Sequence, residues 1–222
     1  MDTTYYRPAP NAVLQLPELS LDLTGVTELV TYATRGMEPF RGFPQFMQAL
    51  ALLQKRKPHC HAVIVGNDEI HYSRAPTKGK SYKDLLLAEL ELDSTRLHFT
   101  GWLPRPAYRQ VLQASTVHVY LTYPYVLSWS LLEAMASGCV VVGSRTPPVE
   151  EVLRDGENGL LVDFFSPPAL ADKLEEALTP SPRWDTLRQA ARQTVLDHYA
   201  LDKLIPQHLT RLEQLKRHFD TR

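Results

Sequence analysis

Residues 117 to 144, VHVYLTYPYVLSWSLLEAMASGCVVVGS, decide the fold. VHVYLT (117 to 122) is rich in β-branched and aromatic residues and apolar on both faces, as a strand covered by two layers requires. A turn with Pro124 follows. SWSLLEAMAS (128 to 137) then has the composition and length of a helix, and CVVVGS (139 to 144) is a second apolar strand. Two strands joined through a helix form a crossover, the connection that makes neighbouring strands parallel. Within this unit stands one carboxylate, Glu133, among aromatic, aliphatic and small residues.

The same alternation extends outward in both directions. ELVTYAT (28 to 34), HAVIVG (61 to 66), RLHFTG (96 to 101) and GLLV (159 to 162) read as further strands. FPQFMQALALLQKRK (43 to 57), SYKDLLLAELEL (81 to 92) and AYRQVLQAS (107 to 115) read as helices, as do 167 to 178, 183 to 198 and 201 to 218. The first of these ends in a basic turn, which the helix dipole favours. The pattern predicts an α/β domain, doubly wound and Rossmann-like, with a parallel sheet and helices on both faces. Its expected extent is 26 to 200. Residues 1 to 25, with Pro8, Pro10 and Pro17 and no clear periodicity, read as a loosely attached linker, and 201 to 222 as a terminal helix.

Composition narrows the function classes. At 222 residues the chain can bury roughly 70% of its unfolded surface. Lys and Arg number 24 against 25 Asp and Glu, which gives no electrostatic reason to expect nucleic acid. Cys60 and Cys139 stand far apart without metal-ligand spacing and read as reduced thiols. MDTTYYRPAPNAVLQLPELS has no basic region followed by an apolar core, so no signal peptide is expected, and no apolar run approaches the ~20 residues of a membrane span. These features point to the cytoplasm. His59 and His61 flank Cys60, but no third ligand is near and packing or surface roles are expected. Lys78, Lys80 and Lys83 fall in the run PTKGKSYK (76 to 83), read as solvated.

In open α/β sheets the ligand sits beyond the carboxyl ends of the strands. The segments that matter are therefore 35 to 42, 66 to 80, 101 to 105, 122 to 130 and 144 to 150. None holds the Gly-x-Gly-x-x-Gly turn of a dinucleotide site. Arg35 and Arg41, beside Gly36 and Gly42, are either ordinary loop arginines or a two-armed grip on a phosphate. The helix that starts near Leu127, Ser128 and Trp129 offers free amides, which suit an anion. Glu133 has two open readings. It forms a capping box with Ser130, or it projects to the sheet edge and accepts hydrogen bonds from a ribose.

Four ordered blocks resemble one family. MDTTYYRP resembles the "Gly-Ile-Asp-x-x-x-Phe-x-Pro" after an interdomain crossing, and RGMEPFRGF the "Arg…Lys-Gly" after the first strand of a donor domain, with Arg41 for the lysine. RLHFTGWLP resembles a strand whose following loop meets a nucleobase. LSWSLLEAMASGCVVVGSRTPPVEEVLRDGENGLLV matches the most recognisable block almost throughout. The chain is thereby similar to the C-terminal half of group 1, or family 4, retaining glycosyltransferases of GT-B fold. The resemblance implies a UDP- or GDP-sugar as substrate and neither cofactor nor metal. Arg35 and Arg41 would hold the donor diphosphate and stabilise the charge left on it. Glu133 would bind the ribose hydroxyls, the backbone near Leu127 and Ser128 would face phosphates, and Trp102 and Leu103 would lie near the base. The family's first glutamate is replaced by Tyr125, which brings no charge to the transferred sugar. The acceptor, a glycan or lipid-linked glycan, would bind an N-terminal domain before Met1 that the last helix would touch, and the whole protein would be cytoplasmic or peripheral at a membrane. A non-catalytic nucleotide-binding or interaction module, or the donor half of a sugar-nucleotide epimerase, is the alternative.

Overall fold

The computed structural model describes residues 1 to 76, 79 to 124 and 126 to 220. A two-stranded hairpin, β1 (Gln15–Leu16) and β2 (Leu21–Asp22), precedes the main sheet. The sheet comprises β3 (Leu29–Gly36), β4 (His61–Asn67), β5 (Leu97–Gly101), β6 (Val117–Tyr120), β7 (Val140–Ser144) and β8 (Leu160–Val162). Its order is β5-β4-β3-β6-β7-β8, with every neighbouring pair parallel. The chain starts in the middle, runs to one edge, then returns beside β3 and runs to the other. That reversal opens a crevice between β3 and β6, where ligands bind in this class of sheet.

Eight helices accompany the strands among the described residues. They are α1 (Phe43–Arg56), α2 (Tyr82–Glu89), α3 (Arg105–Ala114), α4 (Trp129–Ala136), α5 (Pro147–Glu150), α6 (Pro167–Leu178), α7 (Arg183–His198) and α8 (Leu201–Asp220). Alternate strand residues face opposite layers. Val30, Tyr32, Ile64, Val119 and Val142 pack with α1 and α6. Val63 and Val65 pack with α3, and Tyr120, Val141 and Leu161 with α4 and α7. Both faces are covered, which is why the strands read as nearly continuous apolar runs. Tyr32 stacks on Phe46 at 4.7 Å and fixes α1 to the sheet, a contact worth about 0.5 to 1.5 kcal/mol beyond its buried area.

Three details depart from the sequence reading. The first strand runs on to Gly36, so Arg35 belongs to β3 and not to the loop after it. Residues 147 to 150, which carry Pro147 and Pro148, form a short helix that no periodicity announced, because proline fits a first helical turn. Residues 1 to 25 are not loosely attached. Leu14, Leu16 and Leu23 are buried against Leu103 and Val111, and Tyr6 is 1% exposed against the α4–α7 layer. Arg192 of α7 donates to the carbonyls of Thr3 at 3.2 Å and Tyr6 at 3.0 Å, and Gln113 to that of Arg7 at 2.7 Å. The segment is held by scattered contacts that carry no regular spacing. Helix α8, by contrast, exposes Ile205, Leu209, Leu212 and Leu215 along its length. Among the described residues, no helix is long and apolar enough to cross a membrane.

Candidate donor-binding cleft

At the switch point lies a cleft of ≈ 320 Å³. Its first wall is the end of β3 and the segment leading into α1, with Thr34, Arg35 and Arg41. Its second wall comes from the opposite face of the sheet and carries Tyr6, Arg105, Tyr108, Ser128, Trp129, Ser130 and Glu133. Trp102 and Leu103, which follow β5, complete the lining. Six residues singled out in the sequence, Arg35, Arg41, Trp102, Leu103, Ser128 and Glu133, thus share one cleft. Leu127 does not line it and packs instead beside the core of α4. Tyr125 lies outside the described residues, as does Lys78 of the lysine run.

The first wall is shaped by a sharp entry into α1. Gly42 has φ +70°, and a Cβ there would stand 2.4 Å from that of Leu121, so only glycine fits. The turn places Arg41 at the cleft, where its Nη1 donates to Thr122 Oγ1 at 3.3 Å and its guanidinium lies 5.5 Å from the Tyr72 ring centre. Arg35 is exposed. Behind both, Glu38 is fully buried and accepts the backbone amides of His71, Tyr72 and Ser73 at 3.3, 2.9 and 2.8 Å. That carboxylate ties the segment after β4 to the turn that carries Arg41. It was not singled out in the sequence, where it reads as one more loop acid.

The second wall removes one of the two readings of Glu133, the capping box. Helix α4 starts two residues earlier than a Ser130 cap demands. Ser128 is its N-cap, with its Oγ accepting the Ser130 amide at 3.4 Å. Glu133 therefore lies past the first turn, and the Ser130–Glu133 capping box does not form. The Ser128 amide is also not free, since it donates to the Tyr120 hydroxyl at 2.7 Å. Glu133 is half-buried on the cleft. Burial pushes its pKa up, while the hydroxyls of Tyr6 and Tyr108 and the Arg105 guanidinium pull it back, and burial prevails. The Tyr108 hydroxyl is itself buried and has no regular hydrogen-bond partner among the described residues. Arg105 and Tyr108 carried no sequence signal, and Tyr6, although it falls in the MDTTYYRP block, had no role read for it.

The apolar surface of the cleft is unusually open. Trp102 is 70% exposed and Trp129 69% exposed, so two indole faces are available to a planar ring. Among the described residues, no three of His, Cys, Asp and Glu stand together as metal ligands do. His61 meets His98 of β5 at 3.0 Å, a packed pair outside the cleft lining, and His59 lies outside the strand. Cys60 and Cys139 are buried and unpaired with each other. The arrangement can therefore oppose two guanidinium groups to an anion while a carboxylate and indoles meet the remainder of the ligand.

Comparison with known proteins agrees with this geometry. A family profile described as glycosyl transferases group 1 matches residues 27–194. D-inositol 3-phosphate glycosyltransferase of Corynebacterium aurimucosum is 27% identical over 192 residues, which cover 86% of this chain and 44% of the relative. The lipopolysaccharide core biosynthesis glycosyltransferase LpsE of Rhizobium meliloti is 28% identical over 116 residues, or 52% of this chain and 34% of the relative. The chain thus spans less than half the length of these relatives. Among solved structures, the C-terminal domain of the group 1 family protein LpcC from Francisella tularensis aligns with a TM-score of 0.72 at 22% identity, covering 90% of this chain and 99% of that one. Anabaena HepE in complex with UDP-glucose aligns at 0.78 and 20% identity, covering 96% and 56%. The chain belongs to the group 1 glycosyl transferases, as a C-terminal domain of that family with a Rossmann-like GT-B fold.

Proposed function

We propose that this domain binds the nucleotide-sugar donor of a retaining, metal-independent glycosyltransferase. The enzyme moves a hexosyl-type sugar from a UDP- or GDP-type donor to a hydroxyl of a glycan or lipid-linked glycan. One observation carries the reading: Arg35 and Arg41 share a switch-point cleft with the half-buried Glu133. A related fold, that of HepE, has been solved with UDP-glucose, which supports a nucleotide-sugar here.

In this reading the diphosphate lies against Arg35 and Arg41, the ribose hydroxyls bond to Glu133, and the base rests near Trp102 and Leu103. As the bond between the sugar's anomeric carbon and the diphosphate oxygen breaks, negative charge grows on the diphosphate. Guanidinium groups already in place stabilise it without reorganising, commonly a large share of catalysis. The acceptor oxygen bonds the anomeric carbon on the face the diphosphate leaves, and its proton passes to the departing diphosphate oxygen. These two arginines supply the positive charge that a metal supplies in other transferases. The acceptor is held by a further domain that the apolar face of α8 contacts, and the whole protein works in the cytoplasm or at a membrane surface. Tyr125, standing where the family has a glutamate, favours a second reading in which the domain binds a nucleotide without turning it over.

Titration calorimetry with UDP, GDP and ADP, with and without chelator, tests the proposal. Weak, chelator-insensitive binding of a nucleoside diphosphate is expected. Loss of binding on adding chelator would end the metal-free part, and no binding of any of the three would end the reading.

A further inference from the structure

We propose that Tyr6 and Tyr108 are positioning residues for Glu133, whose phenols keep its carboxylate aimed at the ribose hydroxyls of a bound nucleotide. The inference rests on the donor-binding reading above and adds residues that neither the motifs nor the relatives assign. The two rings arrive from unrelated places. Tyr6 comes from the N-terminal segment and Tyr108 from α3, while Glu133 stands on α4. All three line the cleft.

Neither ring is free to leave. Tyr6 is 1% exposed, its carbonyl accepts from Arg192 at 3.0 Å, and its ring lies edge-on to Tyr5 at 5.0 Å. Tyr108 packs against the α4–α7 layer, with its hydroxyl shut off from solvent. A buried hydroxyl without a partner is costly, and one facing a ligand-site carboxylate is completed when that carboxylate settles. Both phenols are donors throughout the neutral range, because burial holds the Tyr6 pKa at about 12 and that of Tyr108 well above its usual value. Arg105 of α3 flanks the pair from outside, with its guanidinium 5.9 Å from the centre of the Tyr6 ring. The groups that act on the Glu133 charge are thus Tyr6, Tyr108 and Arg105. Tyr120 is engaged by the Ser128 amide, and the other cleft residues on α4, Trp129 and Ser130, carry no charge.

A carboxylate that must accept two hydroxyls from a half-buried position needs its remaining lone pairs occupied and its rotamer fixed. The phenols do both. They also favour the charged form, which is the form that accepts two hydroxyl protons.

The test compares the parent with Tyr6→Phe, Tyr108→Phe and Glu133→Gln. Affinity is measured across acid to neutral pH for UDP or GDP, whichever the parent binds more tightly, and for its 2′,3′-dideoxy analogue. Each phenylalanine variant should lose about fivefold in affinity for the ribonucleotide, the worth of one hydrogen bond, and none for the dideoxy analogue. The acid limb of the ribonucleotide profile should move to higher pH in both, since a donor that lowers the Glu133 pKa is gone. Glu133→Gln should have no such limb. Each change to phenylalanine removes one oxygen and keeps the ring, so melting temperatures should not fall below the parent's, and that of Tyr108→Phe should rise. Unchanged ribonucleotide affinity and pH profile in both variants would overturn the inference, as would equal losses for the two ligands. A parent that does not distinguish ribonucleotide from dideoxy analogue would instead overturn the assignment of ribose to Glu133.

Discussion

On the β3 wall of the cleft Arg35 lies in solvent and Arg41 is held by a threonine hydroxyl and an aromatic face. On the opposite wall Glu133 is half-buried among the phenols of Tyr6 and Tyr108, with Arg105 behind them. The first wall carries charge without enclosure. The second half-buries its carboxylate and pushes the pKa of that group upward. The difference follows from what each must meet. A diphosphate carries its own strong charge and is gripped by any well-aimed guanidinium, whereas two neutral hydroxyls are recognised only by an acceptor fixed in place. Solvent screens the first kind of contact and not the second, so the walls should answer differently to salt, mutation and pH.

The largest effect should come from removing the exposed wall altogether. Arg35→Ala with Arg41→Ala is expected to cost at least ~3 kcal/mol of nucleoside diphosphate affinity, and each alone ~1 to 3 kcal/mol. The affinity of the double variant should also fall less steeply with salt than that of the parent. Nucleoside lacking phosphate should bind all forms alike in titration calorimetry, and a matching loss there would make the arginines structural. Next in size, Glu133→Gln should weaken ribonucleotide binding by ~1.5 to 3 kcal/mol, because an amide accepts at one head only. That penalty should shrink for a 2′,3′-dideoxy ligand.

The pH response sharpens the contrast further. Glu133 has a raised pKa, and its ribose-accepting form is the carboxylate. Ribonucleotide affinity should therefore fall as pH drops through that raised value, above the range of an exposed glutamate. Affinity of the parent measured from neutral to acid pH, set beside Glu133→Gln, checks this directly. The smallest effect is on stability. A carboxyl whose folded pKa is raised contributes stability below its unfolded pKa that is lost as pH rises through the folded one. At neutral pH Glu133→Gln should therefore melt slightly above the parent, and the two should converge in acid. A lowered melting temperature at neutral pH would mean that Glu133 serves the fold, as a capping role would require.

The alternation of apolar strands and helices was legible because burial on two faces leaves a periodic trace in the chain. So were Arg35, Arg41, Trp102, Ser128 and Glu133, since a parallel sheet gathers whatever follows its strands at one edge. Which of two patterns Glu133 obeyed was not legible. Ser130 and Ser128 are both good caps, and only the backbone conformation at Ser128, φ −86° and ψ 148°, makes it the cap and frees Glu133 for the cleft. Leu127 shows the same limit. It sits one residue from a cleft residue, yet its half-buried side chain packs against the core and does not line the cleft.

By itself the sequence determined the sheet, its two helical layers and the edge where a ligand would sit, because each of these is written in local periodicity. Tertiary structure alone decided that residues 1 to 25 pack down as part of the domain, and that Tyr6, Tyr108 and Arg105 surround Glu133. Those contacts join residues 80 or more positions apart, or 25 to 28 apart across two elements, and no local pattern records them. They arise when α3, α4 and the N-terminal segment close over the same apolar layer, and each side chain's partner is set by that closure.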